Sequence, residues 1–335
     1  MAEEKHYIIG TAGHVDHGKS ALIRALTGTE TDRLAEERTR GISIELGFAK
    51  LDLGNGQIAG VVDVPGHEKF IPQMLSGIAG IDLVLLVVDA NEGVMPQTRE
   101  HLQIMELLQL QNGILVISKC DLVEPDWLDI VEEEIREQVA GTFLSVSGEW
   151  LPEVMEMIRT QLAKAPARDS SGAVRLPVDR CFSISGFGTV VTGTLTSGRI
   201  KIGDTVEILP SGVSARVREL QVHDSQVEVA YAGQRVAVNL SGVTRDQAPR
   251  GSVIGTPGLY HASQRIDVQL QLLKEAPRKV KFRDPVHFHS GTGRTVGKVI
   301  ILDRDELEPG ESAYVQLLLD QPMLAHRGDG FISRG

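Results

Sequence analysis

At 335 residues with 41% apolar side chains, the chain has room for two or three domains with ordinary cores. No apolar run reaches membrane-spanning length, two cysteines (Cys120 and Cys181) suit a reducing compartment, and 4% aromatic residues leave few platforms for stacking single-stranded nucleic acid. The net charge of −11 is uneven: residues 1–163 carry −15 and residues 164–335 carry +4, so any nucleic acid should lie mainly on the second half.

The acidic, polar start Met1 to Lys5 is unlike a secretory signal, and a cytoplasmic location without membrane contact is expected. A short apolar run, His6 to Thr11, reads as a buried strand, and Ser20 to Leu26 has the spacing of a helix. Between them lies Gly13-His14-Val15-Asp16-His17-Gly18-Lys19-Ser20, which fits the phosphate-loop pattern G-x-x-x-x-G-K-[ST]. In such a loop Gly13 and Gly18 allow successive N–H groups to turn onto an anion. Lys19 reaches the outer phosphates, Ser20 offers its hydroxyl to Mg²⁺, and the helix N-terminus adds partial positive charge.

Thr29 to Ile44 is charged and reads as a loop. Leu46 to Leu53 and Gln57 to Val64 form a predicted hairpin about Gly54-Asn55-Gly56. The second strand ends Asp63-Val64-Pro65-Gly66-His67, where Asp63 can hold a Mg²⁺-bound water and Gly66 can bring its N–H to a γ-phosphate. Leu83 to Asp89 and Ile114 to Ile117 read as buried strands around an amphipathic helix from Pro96 to Leu108. A helix from about Trp127 to Val139, a short strand into Ser145-Val146-Ser147 and a helix to about Leu162 complete an alternating pattern. That pattern predicts a doubly wound, mostly parallel sheet. In Ser118-Lys119-Cys120-Asp121, a carboxylate at Asp121 can accept from both N1–H and the 2-amino group of guanine, which moves the expected nucleotide from ATP to GTP.

Residues 165–177 read as a linker, and from Val178 the period changes to short Val-, Ile- and Thr-rich strands separated by glycine turns. A second all-β unit begins near Ser263. The expected organisation is a nucleotide domain at 1–164, a linker at 165–177, a β-barrel at 178–260 and a second β-barrel at 261–335.

The phosphate loop, Arg40-Gly41-Ile42-x-Ile44 and Asp63-x-Pro65-Gly66-His67, in this order, resemble the translational GTPases, the family of elongation factor Tu. The resemblance implies an α/β P-loop GTPase domain followed by two all-β barrel domains, with GTP or GDP and Mg²⁺ as ligands. It makes Arg40 to Ile44 the first switch with Ser43 on Mg²⁺, beside Ser20 and Asp63, and it assigns His67 to orienting the hydrolytic water. Val15 and Ile42 would form an apolar gate, and Asp16 would support a monovalent cation. The implied nucleotide contacts are Val15, Asp16, His17, Gly18, Lys19, Ser20, Ala21, Gly66, Ser118, Lys119, Asp121, Ser145 and Ser147. Two positions depart from the pattern. Ser43 stands for the usual Thr, and Ser118 stands for the usual Asn, a change expected to weaken the bond from the base loop to the phosphate loop.

Within the family, Thr31 to Glu37, Glu45 to Ala49, Asp63 to Phe70, and the short third domain with His289-Ser290-Gly291-Thr292 are similar to the selenocysteine-specific elongation factors. That resemblance implies delivery of selenocysteinyl-tRNA to the ribosome with ribosome-stimulated GTP hydrolysis. It places an aminoacyl pocket at Asp179, Arg180 and Arg235, where paired guanidiniums can read a selenolate. A general aminoacyl-tRNA carrier and a non-translational GTPase switch are the alternatives. The messenger hairpin would be bound only by a C-terminal part absent from this chain, which stops at Gly335 short of the expected last strand. Two smaller patterns stand apart: His287 and His289 at i and i+2 read as an ordinary barrel pair, and the basic run Arg278, Lys279, Lys281 and Arg283 reads as a contact for tRNA phosphates.

Overall fold

The structure is a computed structural model and describes residues 5–32, 37, 43–54, 56–67, 71–78, 80–110, 112–139, 151–166, 168–184 and 188–334. Ile42, Ser145 and Ser147, together with Arg40 and Gly41 of the first switch, lie outside the described residues.

The first part alternates strand and helix: β1 (Tyr7–Ala12), α1 (Lys19–Thr27), β2 (Gly47–Gly54), β3 (Gln57–Asp63), α2 (Ile71–Ile78), β4 (Leu83–Asp89), α3 (Pro96–Leu107), β5 (Gly113–Ser118), α4 (Pro125–Val139) and α5 (Leu151–Lys164). The strands form one sheet in the order β2-β3-β1-β4-β5, parallel except for β2, which pairs antiparallel with β3. The middle strands β1 and β4 are buried at every residue, as strands covered by helices on both faces must be. Two apolar cores result. One packs Ile8, Val62, Leu86 and Ile117 against α2, α3 and α4; the other packs Ile9, Val61, Leu85 and Val116 against α1 and α5. Helix α2 is an element that the sequence pattern did not single out.

The second part is all-β. It comprises β6 (Arg175–Ile184), β7 (Gly188–Thr194), β8 (Arg199–Lys201), β9 (Thr205–Leu209), β10 (Val213–Val222), β11 (Ser225–Val227), β12 (Val229–Tyr231), β13 (Arg235–Ser241) and β14 (Val253–Gly255). The antiparallel order β10-β13-β7-β6-β14-β9 closes because β9 also pairs with β10, leaving a barrel around Val178, Val191, Ile208, Val217 and Val238. Strand β6 begins inside the stretch that the sequence reads as linker, since Arg175 to Pro177 pair with β14.

The third part comprises β15 (Ala262–Gln271), β16 (Val280–Lys281), β17 (Pro285–Ser290), β18 (Gly293–Ile301), β19 (Glu306–Leu307), β20 (Ser312–Leu324) and β21 (Ile332–Arg334). Its main sheet runs β15-β20-β18-β17-β21, and among the described residues β15 and β21 do not pair, so this unit is a half barrel, in keeping with the missing last strand expected from the sequence. Arg175 joins the two β units by a bidentate ion pair with Asp329.

Candidate nucleotide site and arginine pair

The phosphate loop connects the end of β1 to α1 at the C-terminal edge of the parallel sheet. Gly13 has φ 133° and a Cβ there would stand 2.1 Å from the Val87 carbonyl oxygen; Gly18 is left-handed at φ 89° and starts α1. Lys19 is buried and hydrogen-bonds the carbonyls of Gly13 and His14. Burial pushes its ammonium down to about 8, against the opposing pull of Asp63, Asp16 and Asp32. A buried ammonium whose hydrogen bonds go to neutral carbonyls is poised for a multiply charged anion, and the loop around it forms a cleft of about 380 Å³. Val15, Asp16, Gly18, Lys19, Ser20, Ala21 and Gly66 line it, and Gly66 lies so near that a Cβ would meet Lys19 Nζ at 2.5 Å.

Hydroxyls and carboxylates converge beside the loop. Ser20 Oγ lies 3.1 Å from Ser43 Oγ, which donates to Asp32 at 2.7 Å. Asp63 is buried and held from both sides, by Thr11 and Thr31 hydroxyls at 2.7 Å each. This is an all-oxygen donor set, the chemistry that a hard divalent cation takes. Burial raises the Asp32 carboxyl above its ordinary range, countered by the Ser43 hydroxyl. Sequence reasoning missed Asp32, because nothing in a charged loop marks which acid will fold onto a serine eleven residues away.

Three further contacts fix the loop from outside. Helix α3 starts at Pro96, and its Gln97 and His101, one turn apart, accept the main-chain N–H groups of Val15 at 3.1 Å and Gly13 at 3.0 Å. Burial pushes His101 down to about 3, with the Lys19 and His14 charges adding to the effect, so the ring is neutral and Nδ1 is free to accept. Both residues escaped the sequence reading; their signal was a polar pair at i and i+4 on the helix face that also buries Thr98, Ile104 and Met105. His17 is turned away from the cleft, its ring buried between the Asp89 N–H and Glu92.

The base loop follows β5. Ser118 donates to the His17 carbonyl at 2.7 Å, so serine does bond the phosphate loop at the position where its replacement of Asn was expected to weaken that bond. Lys119 takes a left-handed φ of 55° and pairs with Asp89 at 2.7 Å, while Asp121 is exposed in a single 3₁₀ turn. His67 is half-buried just beyond Gly66, and its charge is among those that depress His14, after burial and Lys19.

The arginines lie at the seam between the sheet and the closed barrel. A register shift in β6 between Val178 and Arg180 inserts Asp179, which is buried and accepts a bidentate pair from Arg235 and the Thr192 hydroxyl at 2.7 Å. Arg180 takes partners other than its neighbour Asp179: its Nη2 donates to Glu45 at 3.1 Å and to the Leu46 carbonyl at 2.8 Å. Both guanidiniums lie over the Phe48 ring, at 3.4 Å for Arg235 and 5.1 Å for Arg180.

Elsewhere, two residues of the basic run are paired with acids, Arg278 with Asp284 and Lys279 with Glu306 and Glu308. No group of three His, Cys, Asp or Glu side chains able to hold a metal occurs among the described residues, so His287 and His289 gain no third ligand. Neither cysteine forms a disulfide, and no described helix is long and apolar enough to cross a membrane.

A phosphate loop on a mostly parallel sheet, with an acid-bearing base loop and a following β-barrel, defines the class of P-loop GTPase proteins built on the elongation factor Tu plan. Residues 4–158 match the elongation factor Tu GTP binding domain, residues 188–255 elongation factor Tu domain 2, and residues 263–335 the β-barrel domain of the selenocysteine-specific elongation factor. The chain is 48% identical to a selenocysteine-specific elongation factor of Desulfomicrobium baculatum and 36% identical to that of Escherichia coli, over 98% of this chain and 53% of each relative. Among solved structures it superposes on a bacterial selenocysteine-specific elongation factor EF-Sec with TM-score 0.87 at 35% identity, covering 98% of this chain and 56% of that one. Translation elongation factor SelB of Methanococcus maripaludis, in complex with the GTP analogue GppNHp, gives TM-score 0.83 at 27% identity, covering 99% and 76%. The chain belongs to the translational GTPase family and is SelB-like. It spans about half the length of the curated relatives it matches.

Proposed function

We propose that this chain is the GTP-hydrolysing, tRNA-carrying part of a factor that takes selenocysteinyl-tRNA to the ribosome, with the nucleotide domain at 1–164 and the β units at 178–260 and 261–335. The observation that carries the reading is the guanidinium pair of Arg180 and Arg235 at the domain seam, in a chain whose matched relatives are selenocysteine-specific factors.

The nucleotide site supports the first half of that reading. Lys19 and the N–H groups of Gly18 to Ala21 would hold the phosphates, Ser20 and Ser43 would hold Mg²⁺ with Asp63 on its water shell, and Asp121 would take the guanine edge. The bound cation neutralises charge on the phosphates. His67 would orient the water, behind a gate formed by Val15 and Ile42, and Asp16 would help a monovalent cation. A site with its own water-positioning residue held back gives slow hydrolysis until a partner acts, which can accelerate such chemistry on the order of 10⁵-fold.

The pocket supports the second half. A selenol is far more acidic than a hydroxyl, so at neutral pH the correct side chain is an anion and its seryl precursor is not. Guanidinium donors read that difference. Filter binding of the chain with GTP to selenocysteinyl-tRNA and seryl-tRNA, side by side, is the test. A preference of about tenfold or more for the former, lost in Arg235→Ala, is expected. Equal binding of both points to a general aminoacyl-tRNA carrier, and no binding of either to a GTPase switch outside translation.

A further inference from the structure

Residues 43–48 run without a break from the oxygen cluster to the arginine pair. Ser43 bonds Asp32 beside Ser20, Glu45 and Leu46 bond Arg180, and Phe48 lies against Arg235. Glu37 pins the middle of the segment, since one carboxylate oxygen accepts the N–H groups of Ile44 and Glu45 at 2.9 and 3.0 Å. An extended chain advances about 3.3 Å per residue, so the five steps from Ser43 to Phe48, with a bend at Glu45, span less than roughly 17 Å.

At the pocket end Arg180 and Arg235 bring two positive charges and Asp179 and Glu45 two negative ones, and Arg250 stands near enough to interact with both carboxylates. The two carboxylates differ in how firmly they are held. Asp179 has 7% side-chain exposure and makes a bidentate pair; Glu45 has 56% exposure and a single bond to Arg180. Solvent screens that single bond, so Glu45 is the carboxylate that leaves at small cost.

We propose that Glu45 is an internal competitor for the bound side chain: a carboxylate that fills the anion position on Arg180, so that an entering side chain displaces it only by bringing a negative charge of its own, and gives up part of its affinity in doing so. The proposal rests on the reading that the arginine pair receives the aminoacyl group. An anion exchanges one charge-assisted hydrogen bond for another, whereas a neutral hydroxyl that displaced Glu45 would leave Arg180 with its strongest partner gone. The same contact reaches the nucleotide site, because the segment that carries Ser43 is anchored at its far end by the bonds of Glu45 and Leu46 to Arg180.

Two measurements on the whole chain test this. In filter binding, Glu45→Gln keeps the shape and removes the competing charge. It should bind selenocysteinyl-tRNA roughly three- to fivefold more tightly, the range of an exposed ion pair, while seryl-tRNA stays within about twofold. In titrations with a fluorescent GTP analogue, Glu45→Gln and Arg180→Gln should each weaken binding by a similar factor of about three, and the double variant should lose no more than either single one. If wild type prefers selenocysteinyl-tRNA but Glu45→Gln leaves that binding unchanged or weaker, or shifts both tRNAs equally, the proposal is overturned while the carrier reading stands. If wild type prefers neither tRNA, the carrier reading fails on its own. The nucleotide titration then decides whether Glu45 and Arg180 link the two sites, with additive losses overturning that link.

Discussion

Ser118 and His17 are joined by a 2.7 Å hydrogen bond from a side-chain hydroxyl to a main-chain carbonyl, and this bond fastens the loop that meets the base to the loop that meets the phosphates. The same hydroxyl lies 3.3 Å from the Val88 carbonyl, so the clamp is anchored to β4 as well. Ser118→Ala removes the donor and leaves the His17 carbonyl without it, at a cost of about 1 kcal/mol. GTP and GDP affinities should both fall about fivefold, measured with a fluorescent analogue, with guanine selectivity unchanged.

In the proposed function that selectivity falls to Asp121. Its exposed carboxylate can only accept, and Asp121→Asn replaces half of the acceptor with a donor. The variant should lose GTP and gain xanthosine triphosphate in competition binding. Unaltered GTP affinity would remove Asp121 from the base site.

Lys19 predicts a pH dependence of nucleotide binding. Its ammonium is held at about 8 by burial, and a polyphosphate favours the charged form, so above pH 8 binding takes up a proton. Affinity should be level below pH 8 and fall by up to about tenfold per pH unit above it, until the pKa of the bound form is reached. Calorimetry at pH 9 in two buffers of different ionisation enthalpy should report proton uptake approaching one per nucleotide.

His101 predicts a pH dependence of stability. The folded chain holds the ring at about 3, whereas an unfolded histidine titrates near 6.5. Protons therefore bind the unfolded state between these values. The contribution is complete above about pH 6.5 and is lost as pH falls towards 3, at up to about 1.4 kcal/mol per pH unit. His101→Asn keeps an acceptor near the Gly13 N–H and removes the titration. Its unfolding free energy, from urea titrations between pH 7 and 5, should decline less steeply than wild type by that share.

The phosphate loop, the hairpin before Asp63, the base loop and the change from alternating strand and helix to short strands were all legible, because each is a local pattern of residue types. The partners that make these pieces into a site were not. Gln97 and His101 reach Gly13 and Val15 over more than eighty residues, and Thr31 reaches Asp63 over thirty-two. Such pairings depend on which helix packs over which loop, and no spacing along the chain encodes that. Arg180 shows the same limit from the other side. Its neighbour Asp179 is the obvious counter-ion by position, but the shifted register sends the acid to Arg235 and leaves Arg180 to Glu45.

That irregular position in β6 also sets what kind of sequence change the pocket can survive. Val178 and Asp179 are consecutive and both buried, so the strand's alternation slips by one residue just where chemistry begins. Exchanging one side chain for another there alters a contact, but dropping the extra residue closes the bulge, makes the Val178–Gly193 and Arg180–Thr192 pairs consecutive rungs of a regular ladder, and removes the buried carboxylate that holds Arg235. Lineages descended from this chain should thus carry point replacements between Val178 and Cys181 far more readily than changes of length. A library of single-codon deletions across β6 should lose tRNA binding most sharply at that spot, while the barrel remains folded.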